Sequence, residues 1–269
     1  MTSNGGKLPR KKFQVERQHK IATLVGQSGR VEIQQLAESF GVTTETIRRD
    51  LSDLELRGLV RKVHGGAVPW ETHTVEPRVK KRALLNSDAK RSIGKCAIEY
   101  LPENGSILID SGSTGAQFAK LIPADIDLTV ITNSLQIAQI LARHKRIKLV
   151  VLGGNVRKGT LAMVGAKVVA EVKDLSVDTT FISCDGFSYE KCLTTPSTTE
   201  AAVKEAMIAA ARHVVALADS SKLDQLYLRS FAQWDQLDVF ITDTIDPSVA
   251  SKIETHRTSV VSSAQAVAT

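Results

Sequence analysis

The 269-residue sequence lacks any run of about 18 consecutive apolar residues, the length that a helix needs to cross a bilayer. Cysteine is scarce as well, since only Cys96, Cys184 and Cys192 occur. A small, odd number of thiols in a chain of this length is typical of reduced cysteines in a cytosol and not of a disulfide framework. We therefore expect a cytoplasmic protein that does not span a membrane.

Signals for metals, secretion and repeats are also missing. No pair of cysteines or histidines has zinc-ligand spacing, so we expect neither a bound metal nor another cofactor. The first twelve residues have no apolar stretch after their basic end, which is unlike a secretory signal, and we expect residues 1–12 to form a flexible basic tail. What remains is an ordinary globular composition, with 42% hydrophobic and 24% charged residues.

Positive charge is concentrated in the first quarter of the chain. Residues 1–70 contain 12 lysines and arginines against 7 acidic residues, whereas the other 199 residues carry only one of the six excess positive charges. This asymmetry suggests that a nucleic-acid-binding module is joined to a second domain.

Residues 13–69 show three helical patterns followed by an alternating one. The third helix begins at Thr43, a plausible N-cap, and its apolar residues Ile47, Leu51 and Leu54 recur at spacings of four and three on one stripe. Because the second helix pattern stops at Gly41, the connection has helix-turn-helix spacing, in which the later helix lies in the DNA major groove. The alternating residues 59–68 predict a β-hairpin.

Side chains left exposed near the start of the third helix are the candidates for DNA contact. Arg48 and Arg49 can form forked hydrogen bonds to guanine, and the threonine hydroxyls can bond phosphates or base edges. The hairpin residues Lys62 and His64 would face the DNA backbone as a wing. The spacing alone also fits a solvated helix face in a small helical domain. The complete DNA-binding set is Thr43, Thr44, Thr46, Arg48, Arg49, Lys62 and His64.

From about residue 86 onward, short and continuously apolar runs alternate with helical patterns. Runs of this kind predict strands covered on both faces, and therefore an α/β domain over residues 86–269 with a mostly parallel sheet. Residues 70–85 lack a clear period and contain Pro77, so we expect a linker there. The expected strands are 106–110, 128–133, 147–154, 179–185, 213–219 and 237–243.

A turn of small residues follows the first of these strands in the segment LIDSGSTGAQFAKL, residues 108–121. Its backbone N–H groups, the hydroxyls of Ser113 and Thr114 and the dipole of the next helix would suit a phosphate. A tight strand-to-helix connection without a ligand explains the same residues. The segment TNSLQ, residues 132–136, repeats the geometry after the next strand, so both turns would face one crevice.

The segments ERQHKI, VEIQQLAESFGVTTETIRRDLSDLELRGLVRKVHGGA and DSGST together resemble the DeoR family of bacterial transcription regulators. The resemblance implies that the helix over residues 43–57 reads operator DNA and that the hairpin is the wing. It also implies a sensor domain similar to ribose-5-phosphate-type isomerases, in which residues 111–114 would hold the phosphate of a sugar. The implied effector-binding residues are Asp110, Ser111, Gly112, Ser113, Thr114, Asn133, Ser134, Asp185, Glu200, Lys204 and Lys222.

An isomerase that carries a DNA-binding module is the alternative function. Aldose–ketose isomerisation needs a carboxylate base, but an ungapped alignment with the isomerases places Lys204 at that position. Glu200, one turn earlier on the same helix face, could in principle reach the site. We expect no enzyme activity, because a cation cannot abstract the proton.

Together these observations predict a sequence-specific bacterial DNA-binding regulator. We expect it to repress a sugar or carbohydrate catabolic operon, and we expect a phosphorylated sugar to relieve the repression. Its partners would be double-stranded operator DNA, the phosphosugar and further copies of the chain in a dimer or tetramer. Family sensors usually have glycine where Cys192 stands and often have aspartate or asparagine where Ser197 stands. The sugar, the operator and the sign of regulation therefore stay open.

Overall fold

The computed structural model describes residues 10–28, 31–56, 59–63, 65–69 and 85–266. The chain divides into two units, Met1–Thr72 and His73–Thr269. The division falls inside the expected linker, of which residues 70–84 lie outside the described part.

The described residues of the first unit form three helices and three short strands. The sheet is antiparallel in the order β1-β3-β2, and β2 and β3 form the hairpin that the alternation predicts. The first helix begins at Arg10, so residues 10–12 are helical and not part of the expected tail, because no proline or glycine interrupts the chain from Arg10 to Val25. Residues 1–9 lie outside the described part. The elements are α1 (Arg10–Ser28), β1 (Val31–Glu32), α2 (Ile33–Phe40), α3 (Thr44–Leu56), β2 (Val60–Val63) and β3 (Gly66–Pro69).

The core of the first unit forms where the apolar stripes of its helices meet. The stripe of α3 is buried as its spacing predicts. Leu24 of α1 is 37% exposed, because it lies at the edge of the stripe that Ile21 and Val25 define. The buried apolar residues of the three helices are Ile21, Val25, Leu36, Ala37, Ile47, Leu51 and Leu54.

The turn between α2 and α3 is defined by a glycine and a threonine. Gly41 ends α2 with φ 61°, in the left-handed region that glycine adopts without a steric penalty. Thr43 precedes α3, and its Oγ1 accepts a hydrogen bond from the backbone N–H of Thr46 at 3.2 Å. This bond satisfies one of the N–H groups that a helix start leaves without a partner.

Replacing Thr43 by alanine is expected to destabilise α3 by about 1 kcal/mol, because this capping bond is lost. Hydrogen exchange of the full-length protein, followed by mass spectrometry, should then show roughly fivefold faster exchange in peptides from α3. Thr23→Ala is the matched control, since Thr23 Oγ1 bonds the carbonyl of His19 within α1 and caps no helix start. Equal exchange in both variants would contradict the capping role.

The second unit is built on a seven-stranded parallel sheet. The α-helices and strands of its described residues, including the seven strands of this sheet, are α4 (Ser87–Ala97), β4 (Asn104–Ile109), α5 (Ser113–Ala119), β5 (Asp127–Thr132), α6 (Leu135–Leu141), β6 (Ile147–Val151), β7 (Asn155–Arg157), β8 (Ala162–Val164), α7 (Ala166–Lys173), β9 (Val177–Ser183), β10 (Gly186–Ser188), β11 (Cys192–Thr195), α8 (Thr198–Ala209), β12 (Ala211–Leu217), β13 (Arg229–Ser230), β14 (Val239–Thr242), α9 (Pro247–Glu254), β15 (Ser259–Ser262) and α10 (Ser263–Ala266).

The strand order of this sheet is β15-β14-β12-β9-β4-β5-β6, and every neighbouring pair is parallel. Successive residues of β4 lie in different hydrophobic clusters, with Leu108 in one and Ile107 and Ile109 in the other. The sheet is therefore covered on both faces, which confirms the expected α/β class. From β4 the order runs one way through β5 and β6 and the other way through β9, so the carboxyl ends of β4 and β9 mark a switch point where such sheets bind ligands.

Short strands complete the second unit. The strands β7 and β8 form an antiparallel hairpin, and β10, β11 and β13 form a small antiparallel sheet. The apolar runs predicted neither group, because each strand has only two to four residues. No helix of the described part is long and apolar enough to cross a membrane.

Candidate functional site

The outer face of α3 carries two neighbouring arginines. Arg48 and Arg49 are both exposed. Arg48 Nη1 lies 3.3 Å from Glu45 Oε2, but both side chains are more than half exposed. Exposed pairs of this kind contribute about 0–1 kcal/mol, so this contact leaves Arg48 available to a stronger partner.

The opposite face of α3 is bonded to α1 through a buried carboxylate. Asp50 is 1% exposed, and its oxygens accept hydrogen bonds from Arg17 Nε at 2.6 Å and from Gln18 Nε2 at 3.0 Å. Asp50 therefore fixes the orientation of α3 instead of facing solvent. Its partner Arg17 and the exposed Arg49 line one groove at the start of α3.

The remaining predicted DNA contacts differ in their surroundings. Lys62 of β2 is exposed, and its Nζ donates to Ser52 Oγ of α3 at 2.9 Å, so the hairpin is attached to the helix. The hydroxyls of Thr43 and Thr46 lie 2.9 Å apart and bond each other, and Thr44 is half-buried. His64 lies outside the described residues.

In the second unit, an ion pair stands at the switch point of the sheet. Asp110 follows β4, is 1% exposed, and forms the pair with Lys204 Nζ of α8. Lys204 Nζ also donates to the carbonyl of Ser183 at 2.7 Å, and Asp110 Oδ2 accepts from Ser183 Oγ at 3.2 Å. These bonds join the carboxyl ends of β4 and β9 to α8.

Lys204 stays charged in this environment. Burial alone would lower its pKa, but the carboxylates of Asp110, Glu200 and Asp185 outweigh burial, and the pKa of Lys204 is raised. The position that an ungapped alignment gives to the isomerases' base therefore holds a protonated, ion-paired amine. It cannot act as the carboxylate base of an isomerase.

The turn after Asp110 approaches β9 so closely that it requires a glycine. Gly112 has φ 152°, and a Cβ at this position would lie 2.4 Å from Ser183 Oγ. The single proton of that hydroxyl is shared between Asp110 Oδ2 and the carbonyl of Ser111, which lies 3.0 Å away. The Ser111 N–H donates to Asn133 Oδ1 at 3.0 Å. The hydroxyl of Thr114 is buried and has no hydrogen-bond partner among the described residues.

The other wall of the cleft comes from the ends of β9 and β12. Lys222 Nζ donates to the carbonyl of Cys184 at 2.6 Å, and Asp185 Oδ2 accepts from Thr195 Oγ1 at 2.7 Å. Burial raises the pKa of the Cys184 thiol to about 12, so the thiol is protonated and unsuited to nucleophilic chemistry.

The two departures from the family pattern have local structural explanations. Cys192 has φ 51°, in the left-handed region where glycine is favoured, and burial raises the pKa of its thiol. Ser197 precedes α8, and its Oγ accepts from the N–H of Glu200 at 3.3 Å, a capping role that aspartate and asparagine also fill. Neither side chain is among the residues that line the cleft.

The structure brings seven of the eleven expected effector residues together around one cleft. The residues that line it are Ser111, Gly112, Ser113, Thr160, Ser183, Cys184, Asp185, Glu200, Lys204 and Lys222. Four expected residues do not line the cleft, and each of them is at most 1% exposed. These are Asp110, Thr114, Asn133 and Ser134.

Three residues of the cleft wall were not expected from the sequence. Ser183 and Cys184 end the buried strand β9, directly before the expected Asp185, and that adjacency is the signal that could have found them. Thr160 lies in the turn of the β7–β8 hairpin, for which the sequence carried no strand signal.

Comparison with known proteins assigns the same two parts to known families. A model described as the DeoR-like helix-turn-helix domain matches residues 17–73, and one described as the DeoR C terminal sensor domain matches residues 85–244. The HTH-type transcriptional regulator GlpR of Haloferax volcanii is 35% identical over 91% of this chain and 96% of its own length.

Two further relatives carry names with opposite regulatory signs. The HTH-type transcriptional repressor GlcR of Bacillus subtilis is 30% identical over 87% of this chain and 90% of its own. The L-fucose operon activator of Haemophilus influenzae is 31% identical over 86% and 93%. Among solved structures, ribose 5-phosphate isomerase A of Methanocaldococcus jannaschii is 20% identical with a TM-score of 0.38, over 51% of this chain and 55% of its own, which carries no activity over to this chain.

Proposed function

The chain belongs to the DeoR family of transcriptional regulators, and from this premise we propose that it is a sequence-specific bacterial DNA-binding regulator that responds to a phosphorylated sugar. The winged helix-turn-helix unit binds operator DNA, and the α/β unit binds the sugar. Its relatives have the names of transcriptional regulators and not of isomerases, so the chain acts as a regulator and not as an enzyme.

The observation that carries the ligand class is the composition of the cleft at the switch point. Hydroxyls of Ser111 and Ser113 stand on one wall, and the amines of Lys204 and Lys222 stand on the others. Hydroxyls and cations together bind phosphate oxygens, while the carboxylates of the same cleft accept hydrogen bonds from sugar hydroxyls. An uncharged apolar ligand would find few matching contacts there.

The outer face of α3 supports the DNA-binding part of the proposal. Arg48 and Arg49 are exposed beside each other on a helix whose inner face is fixed by the buried Asp50. Such a helix can enter the major groove without losing its packing.

We propose that the protein represses transcription and that the phosphosugar relieves this repression. The named relatives include both a repressor and an activator. Control by a ligand requires that the sugar favours one arrangement of the protein over another. We expect a dimer or tetramer in the cytoplasm, because operators with two half-sites match a symmetric protein.

The test measures operator affinity of the purified full-length protein in the presence of pentose and hexose phosphates and of the same sugars without phosphate. We expect one phosphorylated sugar to weaken operator binding by at least about tenfold, a coupling of roughly 1.4 kcal/mol, while its unphosphorylated form has no effect. If no phosphosugar changes either operator affinity or melting temperature, the sensor proposal is wrong. Turnover of a sugar phosphate that Glu200→Ala abolishes would instead support the isomerase alternative.

A further inference from the structure

Glu200 is a carboxylate inside the cleft and not at its rim. Its side chain is 4% exposed and lies in the first turn of α8. A single oxygen, Oε1, accepts a hydrogen bond from Thr160 Oγ1 at 2.5 Å and lies 3.6 Å from Arg157 Nη1. A buried charge needs such partners, because it has lost its water. A hydroxyl and a guanidinium are also the groups that bind phosphate in proteins.

Both partners of Glu200 belong to the β7–β8 hairpin, whose turn has an unfavourable backbone conformation. Leu161, next to Thr160, has φ 58°, in the left-handed region that residues with a Cβ rarely adopt. Its N–H donates to the carbonyl of Arg157 at 2.8 Å and closes the turn. Conformations of this kind persist where the surroundings hold them, and they concentrate at ligand clamps and switch regions.

The base of the same hairpin is bonded to the turn of residues 111–113. The N–H of Met163 donates to the carbonyl of Asn133 at 2.7 Å, and Asn133 Nδ2 donates back to the carbonyl of Met163 at 3.3 Å. The side-chain oxygen of Asn133 accepts from the Ser111 N–H at 3.0 Å. The hairpin therefore contacts both sides of the cleft, with its base joined to the Ser111 turn and its tip joined to α8.

The charges of the cleft place an entering anion close to Glu200. Asp110 is neutralised by Lys204, and Asp185 is half-buried with a bond from Thr195. Of the two carboxylates on the cleft wall, Asp185 and Glu200, Glu200 is the more deeply buried. Repulsion between charges is strongest where water is excluded. Lys204 and Lys222 attract an anion into this cleft. Glu200 repels it there unless the donors that now face Glu200 also reach the anion.

We propose that Glu200 is an internal competitor for the anionic group of the ligand, and that Arg157 and Thr160 exchange Glu200 for that group when the ligand binds. Arg157 and Thr160 then determine specificity for a phosphate or a similar dianion, and an uncharged sugar leaves them on Glu200. The exchange removes the contacts of Arg157 and Thr160 with Glu200 of α8. The ligand-free and ligand-bound states then differ in these contacts, as control by a ligand requires. This inference rests on the proposed function, since it takes the cleft to be the phosphosugar site.

Titration calorimetry of the full-length protein with inorganic phosphate tests the exchange. Glu200→Gln keeps an acceptor for Thr160 but removes the charge, so we expect phosphate to bind about tenfold more tightly. Arg157→Gln should bind phosphate at least about tenfold more weakly, because it loses a charge-assisted contact. Lys158→Gln is the matched control, as it removes the exposed positive charge next in the chain, and it should leave the affinity unchanged.

The double variant separates direct from coupled effects. The gain from Glu200→Gln should shrink to less than about threefold in the Arg157→Gln background, since there is no guanidinium to release. If Glu200→Gln does not fold, Glu200→Asp retracts the carboxylate by one methylene from Arg157 and should also tighten phosphate binding, by a smaller factor.

Each outcome of the titrations separates this inference from the proposed function. Weaker phosphate binding in Glu200→Gln, or equal affinities in Arg157→Gln and Lys158→Gln, would overturn the competitor role. If the wild type binds a phosphosugar while Glu200→Gln binds it less well, Glu200 is a ligand contact, so the competitor inference fails and the proposed function stands. If the wild type binds neither inorganic phosphate nor any sugar phosphate, the proposed function fails and the inference fails with it.

Discussion

Replacing Lys204 by methionine is expected to lower the free energy of unfolding of the second unit by about 3–5 kcal/mol, because it leaves a buried charge without its counter-ion. Asp110 is 1% exposed, and among the described residues only Ser183 and Ser111 would still donate hydrogen bonds to its carboxylate in the variant. Neutral donors reduce the penalty of a buried carboxylate but do not cancel its charge.

Urea unfolding of the full-length protein measures this loss. The two tryptophans are Trp70 and Trp234, so in a Trp70→Phe background the fluorescence reports on Trp234 of the second unit, which is 4% exposed. Lys120→Met is the control, because Lys120 is exposed. Adding Asp110→Asn to Lys204→Met should restore more than half of the loss, since neither position of the pair then carries a buried charge. Equal stabilities of the Lys204 and Lys120 variants would show that the ion pair does not hold the sheet to α8.

The pH dependence of this ion pair has a definite sign. The pKa of Lys204 is raised in the folded protein, because its carboxylate neighbours outweigh burial. Its contribution to stability is therefore fully present below the ordinary lysine pKa of about 10.4, and it is lost only as the pH rises through the higher folded-state pKa. Titration of Lys204 should therefore not change the difference in free energy of unfolding between wild type and Lys204→Met from neutral pH up to about pH 9.

Alanine in place of Arg48 or Arg49 is expected to weaken operator binding by about 1–3 kcal/mol each, or roughly 5- to 150-fold, if the two arginines read bases. Both side chains are exposed on α3, and the side chain of Arg48 forms a weak ion pair with Glu45. The folded structure should therefore lose little stability, and the effect should fall on DNA binding.

Affinity is measured for two DNA fragments, an operator selected from random DNA by its binding to the protein and a scrambled version of that operator. Comparing them distinguishes an arginine that reads bases from one that contributes only charge. An arginine that reads bases should lose most of its effect on the scrambled fragment, whereas Lys62→Ala should weaken both complexes alike and reduce the salt slope by about 1. Arg143→Ala, an exposed arginine of the second unit, is the control. Wild-type operator affinity in both the Arg48 and Arg49 variants would remove α3 as the reading helix.

Local patterns predicted the elements of the fold where those elements are long or strongly periodic. The stripe Ile47, Leu51 and Leu54 became the buried face of α3, and Thr43 precedes it as its cap. All six apolar runs became parallel strands, because apolar residues predominate in them and do not alternate with polar ones as in a strand with a solvent face. The seventh strand, β15, was missed because SVVS is short and bounded by serines. The β7–β8 hairpin was missed because each of its strands has only three residues.

Some residues of the cleft could likewise be predicted from the sequence, and others could not. Ser111 to Ser113 and Asp185 could be expected there because they lie at strand ends, and parallel strands end at one edge of the sheet. Lys222 was expected only from the family resemblance. Ser183 could not be assigned its role from spacing, since its bond to Asp110 joins residues 73 positions apart. The pairing of Lys204 with Asp110 joins residues 94 positions apart.

The sequence by itself determined the two-part organisation, the helix that carries Arg48 and Arg49, and the chemistry available at the strand ends. These features depend on side-chain periodicity and backbone preference over a few neighbouring residues. Only the tertiary structure decided that Asp110 is enclosed while Glu200 faces the cleft and is bonded by Thr160. That choice follows from the order of the strands and from burial, and both depend on contacts between segments that are distant in the chain.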